Sequence, residues 1–414
     1  MPLPTLVRSY GFEPHSNALL EVSPSWSRTT SNFSPRGGVA GAVVVGTVLG
    51  TSAGRLQDGT SIQTIALGDR HAISFDFRVN SGTIDCPLFT LQGLNGTGQV
   101  MTVYFDQAGD VLLICENNGI SGKGSTLATG ALTITAGTWY RLWVAFLIPA
   151  GGGTNNVEIE VRVEAATTDS HRPTAVDCSA STSNQSNTVW VAYVGGNHGS
   201  SLGIGQSLTV DNIGYWEDTG AHEEYYVSCV AATINGNGTD NDFNVVNDGA
   251  DTQRWEAVDE ATPNGSGTTD VDYIWIDSTS ANEQTFTVTW TQPTGYDRPM
   301  FVQLGLWHRN ADGGKWAADH KRRYRFYSGT VIDDSAGNLS DPGGSYIGGT
   351  ITAPKALDGN PLQITGLEIG VAMSAAGAEA ARWQISTFGC ELTFMRPVSF
   401  VPKTRRSMRH QLVR

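Results

Sequence analysis

The feature that most limits what this chain can fold into is a two-residue alternation of apolar side chains, repeated in short segments along most of its length. In HAISFDFRVN (71–80), Ile73, Phe75, Phe77 and Val79 fall on one side; in VEIEVRVEA (157–165), Val157, Ile159, Val161 and Val163 do the same. Successive strand side chains point to opposite faces, so each segment is a strand with one buried face. SNTVWVAYVG and SLTVDNIGYWED continue the pattern, and turn-rich loops such as GLNGTGQ, ENNGISGKG and PAGGGTNN separate the segments. The 49 glycines suit such turns, and long helices are not indicated. Many short strands at this spacing predict sandwiches or jelly rolls rather than βαβ units.

Near GAHEEYY the pattern restarts, with strands expected at DYIWIDS, QTFTVTW, MFVQLGLWHR, RRYRFYSGT, LEIGVAM and RWQISTFGCELTF. INGNGTDNDF, PNGSGTTD, NADGG and DSAGNLSDPGG read as loops. A length of 414 residues exceeds one ordinary core, so two domains of roughly 200 residues are expected. The reading is therefore all-β, with two tandem jelly-roll-like β-sandwiches (residues 1–220 and 221–394) and a short basic C-terminal tail (395–414). No short repeat suggests a solenoid or propeller.

The formal charge of -14 is uneven, because the last nineteen residues hold Arg396, Lys403, Arg405, Arg406, Arg409 and Arg414 and no acid. Removing those six from 26 basic residues leaves 20 against 40 acids on residues 1–395, a body at -20. Such a body repels nucleic acid, whereas Lys403, Arg405, Arg406, Arg409 and Arg414 form a candidate docking tail for an acidic partner, or else a solvated end. Cys86, Cys115, Cys178, Cys229 and Cys390 are widely spaced and odd in number, which fits buried reduced thiols better than disulfides or zinc. MPLPTLVRSYGFEPHS lacks the pattern of a signal peptide, and VAGAVVVGTVL (39–49) is too short to span a bilayer, so no membrane insertion is expected.

The order RSYGFE, ISFDFRVNS, FDQAGDVLLICENNG, LTITAGTWYRLWVAF, VEIEVRVEA and SLTVDNIGYWED resembles the laminin-G-like or concanavalin-like jelly roll. The resemblance covers about half the chain and implies a fold rather than a function, since lectins, glycosidases, adhesins and spacers share it. The second half resembles a module of tailed-bacteriophage structural proteins. The residues that carry this are NGNGTDNDF, AVDEATPNGSGTTDVDYIWIDSTSANEQTFTV, FVQLGLWHRNADGG, RRYRFYSGT and LEIGVAM. That resemblance implies a virion component and no chemistry.

The residue patterns carry no recognisable chemistry either. A concanavalin-like glucanase needs paired carboxylates; Glu158, Glu160 and Glu164 share a strand face, yet the family's E-x-D-x-x-E order is absent and Arg162 interrupts them. The eight histidines show no metal-ligand spacing and read as lone surface residues, and there is no G-x-S-x-G. GISGKGSTLATG (119–130) lacks the frame of a phosphate loop. Calcium has weak candidates in Asp240, Asp242, Asp333 and Asp334, which also suit ordinary Asx turns; no other cofactor is indicated.

The stretch GTWYRLWVAF (137–146) stands apart. Tyr140, Leu142, Val144 and Phe146 make a core face, and Trp139, Arg141 and Trp143 make the other. Exposed indoles need a use: sugar stacking, packing on a neighbouring subunit, or cover by a loop of the same domain. The sequence as a whole points to a non-enzymatic structural virion protein of a tailed phage, made in the bacterial cytoplasm. It would sit on head or tail as a decoration, fibre or appendage subunit, with other virion proteins (capsid, portal or tail components) and its own copies as partners. Weak multivalent contact with a host surface glycan is compatible with it. The rival readings are a carbohydrate-binding or carbohydrate-cleaving protein of concanavalin-like fold and a cytoplasmic scaffold.

Overall fold

A computed structural model describes residues 5–10, 26–27, 43–46, 55–56, 70–81, 86–93, 100–106, 111–117, 125–131, 134–147, 156–165, 168–171, 176–179, 190–194, 207–218, 225–246, 253–258, 272–277, 281–293, 296, 299–311, 321–325, 331–333, 339, 343–344, 347–348, 355–357, 366–373 and 382–397. Among them the only helical element is a 3-10 turn, Glu256–Val258. None of their helices is long and apolar enough to cross a membrane. The molecule is an all-β sandwich protein, as the alternation requires.

Residues up to 218 form two facing sheets and a separate two-stranded ribbon, Trp26–Ser27 with Arg55–Leu56. The first runs Thr5–Tyr10, Ser207–Asp218, Arg70–Ser81, Trp139–Leu147, Asn156–Ala165, Thr168–His171, with Val43–Gly46 and Val176–Ser179 alongside. The second runs Trp190–Val194, Cys86–Gly93, Val100–Asp106, Val111–Asn117, Ser125–Ala131. Its last four strands are sequential hairpins, whereas Arg70–Ser81 pairs with Trp139–Leu147 only after the chain has built that meander. Between the sheets lie Ile73, Phe75, Phe77, Val144, Ile159 and Val161 from one side and Phe89, Leu91, Met101 and Val103 from the other, all buried. Phe146 and Phe89 meet across the gap with ring centroids 5.8 Å apart. Burial of each such ring contributes about 1.5–3 kcal/mol.

The Trp139 strand is entered through a turn in which the Thr138 N–H donates to the Thr135 carbonyl (3.1 Å) and Gly137 takes φ +80°. Glycine adopts that left-handed angle without steric penalty. The Thr135 N–H donates to the Tyr140 hydroxyl (2.8 Å), tying the turn to the core face.

Residues 225–397 form an eleven-stranded curled sheet. Its central strand, Tyr225–Asn241, pairs with Trp383–Pro397 through Tyr225–Ala232 and with Asn282–Thr289 through Thr233–Asn241. One long strand thereby belongs to two layers, which close over a core containing Phe286, Leu304, Leu306, Ile369, Trp383, Ile385, Phe388 and Phe394. Glu368–Met373 packs closely on Asn282–Thr289, because a Cβ at Gly370 would lie 1.9 Å from the Gln284 carbonyl oxygen.

Three expectations need correction. INGNGTDN is the second half of a strand, not a loop. Its register breaks between Ile234 and Gly236 and between Asn237 and Asn241 let a turn-like composition remain paired, and a Cβ at Gly238 would sit 2.4 Å from Thr285 Oγ1. The last strand runs through Pro397, so Met395 and Arg396, assigned to the tail, pair with Val227 and Tyr226. His71 and His308 are buried, not superficial. His71 stacks on Phe146 and Tyr215 with its Nδ1 2.8 Å from the Tyr215 hydroxyl, and His308 Nδ1 accepts from Trp383 Nε1 at 3.2 Å.

Candidate functional site

The outer face of the first sheet resolves what Trp139, Arg141 and Trp143 do. Strand register sets the rows on that face: Thr209, Arg78 and Trp139; Asp211, Asp76 and Arg141; Gly214, Ser74 and Trp143; Trp216, Ala72 and Ala145. Each row joins three strands that are far apart in sequence.

Trp143 is 1% exposed, inside the molecule, so it offers no face for a sugar or a second subunit. Arg141 donates from Nε to Asp76 Oδ1 at 2.9 Å, with side-chain exposures of 11% and 2%. Its guanidinium carbon also lies 5.8 Å from the ring centroid of Tyr296, a residue of the second half. Trp139 is half-buried, with the Arg78 guanidinium 5.2 Å from its ring. Cover therefore comes from the second half of the chain, where a loop of the same domain was one of the expectations.

The second half meets this face with apolar side chains. Trp216 from the first half packs with Val227, Cys229, Met300, Phe301 and Met395 from the second, and Ala72 packs against both this cluster and Trp143. Polar groups complete the seam. Asp76 Oδ2 accepts from Asn212 Nδ2 (2.7 Å), and Asn212 Oδ1 accepts from the Cys229 N–H (2.7 Å). Cys229 Sγ lies 3.8 Å from Thr393 Oγ1. Burial above all, with Glu391 adding to it, raises the Cys229 thiol well above its usual range. Such a thiol stays protonated and is a poor nucleophile. Asp76 is held in place from two sides, one oxygen by a guanidinium and the other by an amide.

The other candidates are placed as follows. Asp242 Oδ2 accepts from the Glu283 N–H (2.9 Å), and the Asp240 N–H donates to Thr285 Oγ1 (3.1 Å). Glu368 beside them accepts from the Thr239 N–H, Thr239 Oγ1 and Thr285 Oγ1 at 2.7–2.9 Å. These contacts tie the bulged end of the central strand to its neighbours. Among the described residues no group of three or more His, Cys, Asp or Glu is arranged to hold a metal ion. The Asp333 side chain, Asp334, Lys403, Arg405, Arg406, Arg409 and Arg414 lie outside the described residues, as do the side chains of Glu158, Glu160 and Glu164. Cys229 and Cys390 are buried free thiols.

Sequence reasoning did not find Asp76, Asn212, Cys229 or Tyr296. The available signal was Asp76 itself, a lone acid between Phe75 and Phe77, on strand ISFDF. Its partners are 65 and 136 residues away, and only strand order brings them together.

No protein family matched the chain, and no curated protein matched it. Solved structures similar to it include an uncharacterised protein from Shewanella oneidensis MR-1, at 13% identity over 54% of this chain and 92% of that one, with a TM-score of 0.34. A GH43 glycoside hydrolase, engineered at its active site to show endo-xylanase and exo-arabinofuranosidase activity, is 13% identical, with a TM-score of 0.33. That match covers 53% of this chain and 41% of the hydrolase. The CBM2 module of the evolved Dit of Lactobacillus casei BL23 phage J-1 is 10% identical over 52% of this chain and 97% of the module, with a TM-score of 0.28.

Proposed function

We propose that this chain is a non-enzymatic structural protein of a tailed-phage particle, displayed on head or tail as a decoration, fibre or appendage subunit. The observation that carries this reading is the fate of its most ligand-like surface. The face bearing Trp139, Arg141 and Trp143 joins the two halves of the chain, and its charged groups are engaged inside the molecule. Chemistry that would serve a lectin or hydrolase is used here for architecture. The resemblance of the second half to phage structural modules supports the same conclusion. Many copies held on a symmetric particle would give each weak contact the benefit of avidity, and any contact with host glycans would fall to other surfaces. The basic tail would dock on an acidic neighbour in the particle.

The test is quantitative mass spectrometry of gradient-purified particles of the phage that encodes the chain. A copy number relative to the major capsid protein that matches a capsid or tail symmetry is the expected result. Absence from the particle overturns the proposal, and saccharide binding or cleavage by the purified protein would then favour the carbohydrate-active alternative.

A further inference from the structure

We infer that the two sandwiches are locked into one unit and that Asn212 is the residue that sets their mutual position. The inference does not depend on whether the chain is built into a particle. Asn212 is the only non-glycine residue with positive φ (52°) among the described residues. It sits where pairing between Ser207–Asp218 and Arg70–Ser81 breaks, between Asp211 and Gly214. Asparagine tolerates this left-handed backbone better than most residues, and Asp211 Oδ1 stabilises it by accepting the Asn212 N–H at 2.7 Å.

That conformation aims a side chain with one donor end and one acceptor end. Its amide nitrogen donates to Asp76, which Arg141 already holds, and its oxygen receives the Cys229 N–H from the other half. The described pairs of Tyr225–Ala232 lie with Trp383–Pro397, so the N–H that Asn212 captures comes from the strand's opposite edge. Two residues on, Gly214 leaves the space that Val227 fills: a Cβ there would lie 2.9 Å from Val227 Cγ1 and 2.7 Å from the Trp216 ring. Hydrogen-bond direction and shape thus fix the same seam at adjacent points. An aspartate at 212 could keep the backbone and still accept from Cys229, but it would set a carboxylate against Asp76. An asparagine at 76 would then supply the missing donor.

The test uses the full chain, read by scanning calorimetry and small-angle scattering. The wild type should show one cooperative transition and a single compact radius of gyration. Asn212→Ala should split the transition in two and enlarge the radius, and Asn212→Asp should do so at least as strongly. The exchanged pair Asp76→Asn with Asn212→Asp should restore one transition and the compact radius, a rescue that general damage to folding would not show. Two transitions in the wild type, wild-type behaviour in Asn212→Ala, or no rescue by the exchange overturns the inference. If Asn212→Ala does not fold, the comparison of Asn212→Asp with the exchange decides it alone.

Discussion

Arg141→Ala leaves Asp76 as a buried anion without its cation, and removing one partner of a buried pair costs about 3 kcal/mol or more. Urea unfolding should show that loss; a change below about 0.5 kcal/mol would mean the pair is solvated in solution. The two buried thiols make a second, pH-linked case. Burial raises both Cys229 and Cys390, with Glu391 contributing to each. A group that holds its proton more tightly when folded adds stability that is complete below its unfolded value, about 8.5 for a thiol. That stability is lost as pH rises from there toward the raised folded value. The urea midpoint should therefore fall between pH 7.5 and pH 10, and fall less in Cys229→Ala with Cys390→Ala. In the native protein at pH 8, alkylation at these two positions, located by mass spectrometry, should be slower than in the unfolded chain by roughly 100-fold.

Strands differ in how openly the sequence announces them. Trp139–Leu147 and Arg70–Ser81 were legible because a half-buried strand imposes a period of two on its side chains. Tyr225–Asn241 was only half legible, since NGNGTDN has the composition of a turn and stays in the sheet through register breaks and two glycines that fit under Thr285, Thr287 and Glu368. The seam was not legible. Alternation shows that Trp139, Arg141 and Trp143 share a face, but not that the other half lies over it, because that depends on contacts such as Arg141 over the Tyr296 ring, which no local pattern announces. Close strand approach yields its own test. Gly370→Ala should cost about 1–3 kcal/mol or more, because the new methyl collides with backbone at Gln284 rather than with a side chain that can rotate away. Equal thermal stability of the variant would show that the two strands stand further apart than described.

At the scale of the molecule, the end of the last strand divides what can be removed from what cannot. Deletion of 398–414 spares every residue paired with Tyr225–Ala232 and should leave the unfolding temperature unchanged. If the tail docks on a neighbour, the same deletion should abolish incorporation into particles; normal incorporation would show that Lys403, Arg405, Arg406, Arg409 and Arg414 are not the anchor. Deletion of 395–414 removes Met395 from the seam as well, and should lower stability even in the isolated protein. The strand Tyr225–Asn241 carries a further consequence, a mechanical one. Only six residues separate it from the strand ending at Asp218, and it is bonded first to one layer and then to another. Tension drawn through that short link would load its ladders lengthwise, so that many bonds share the strain instead of parting one after another like a peeled strip. A particle appendage built this way would pass the tug of a host cell to its base without first coming apart in the middle.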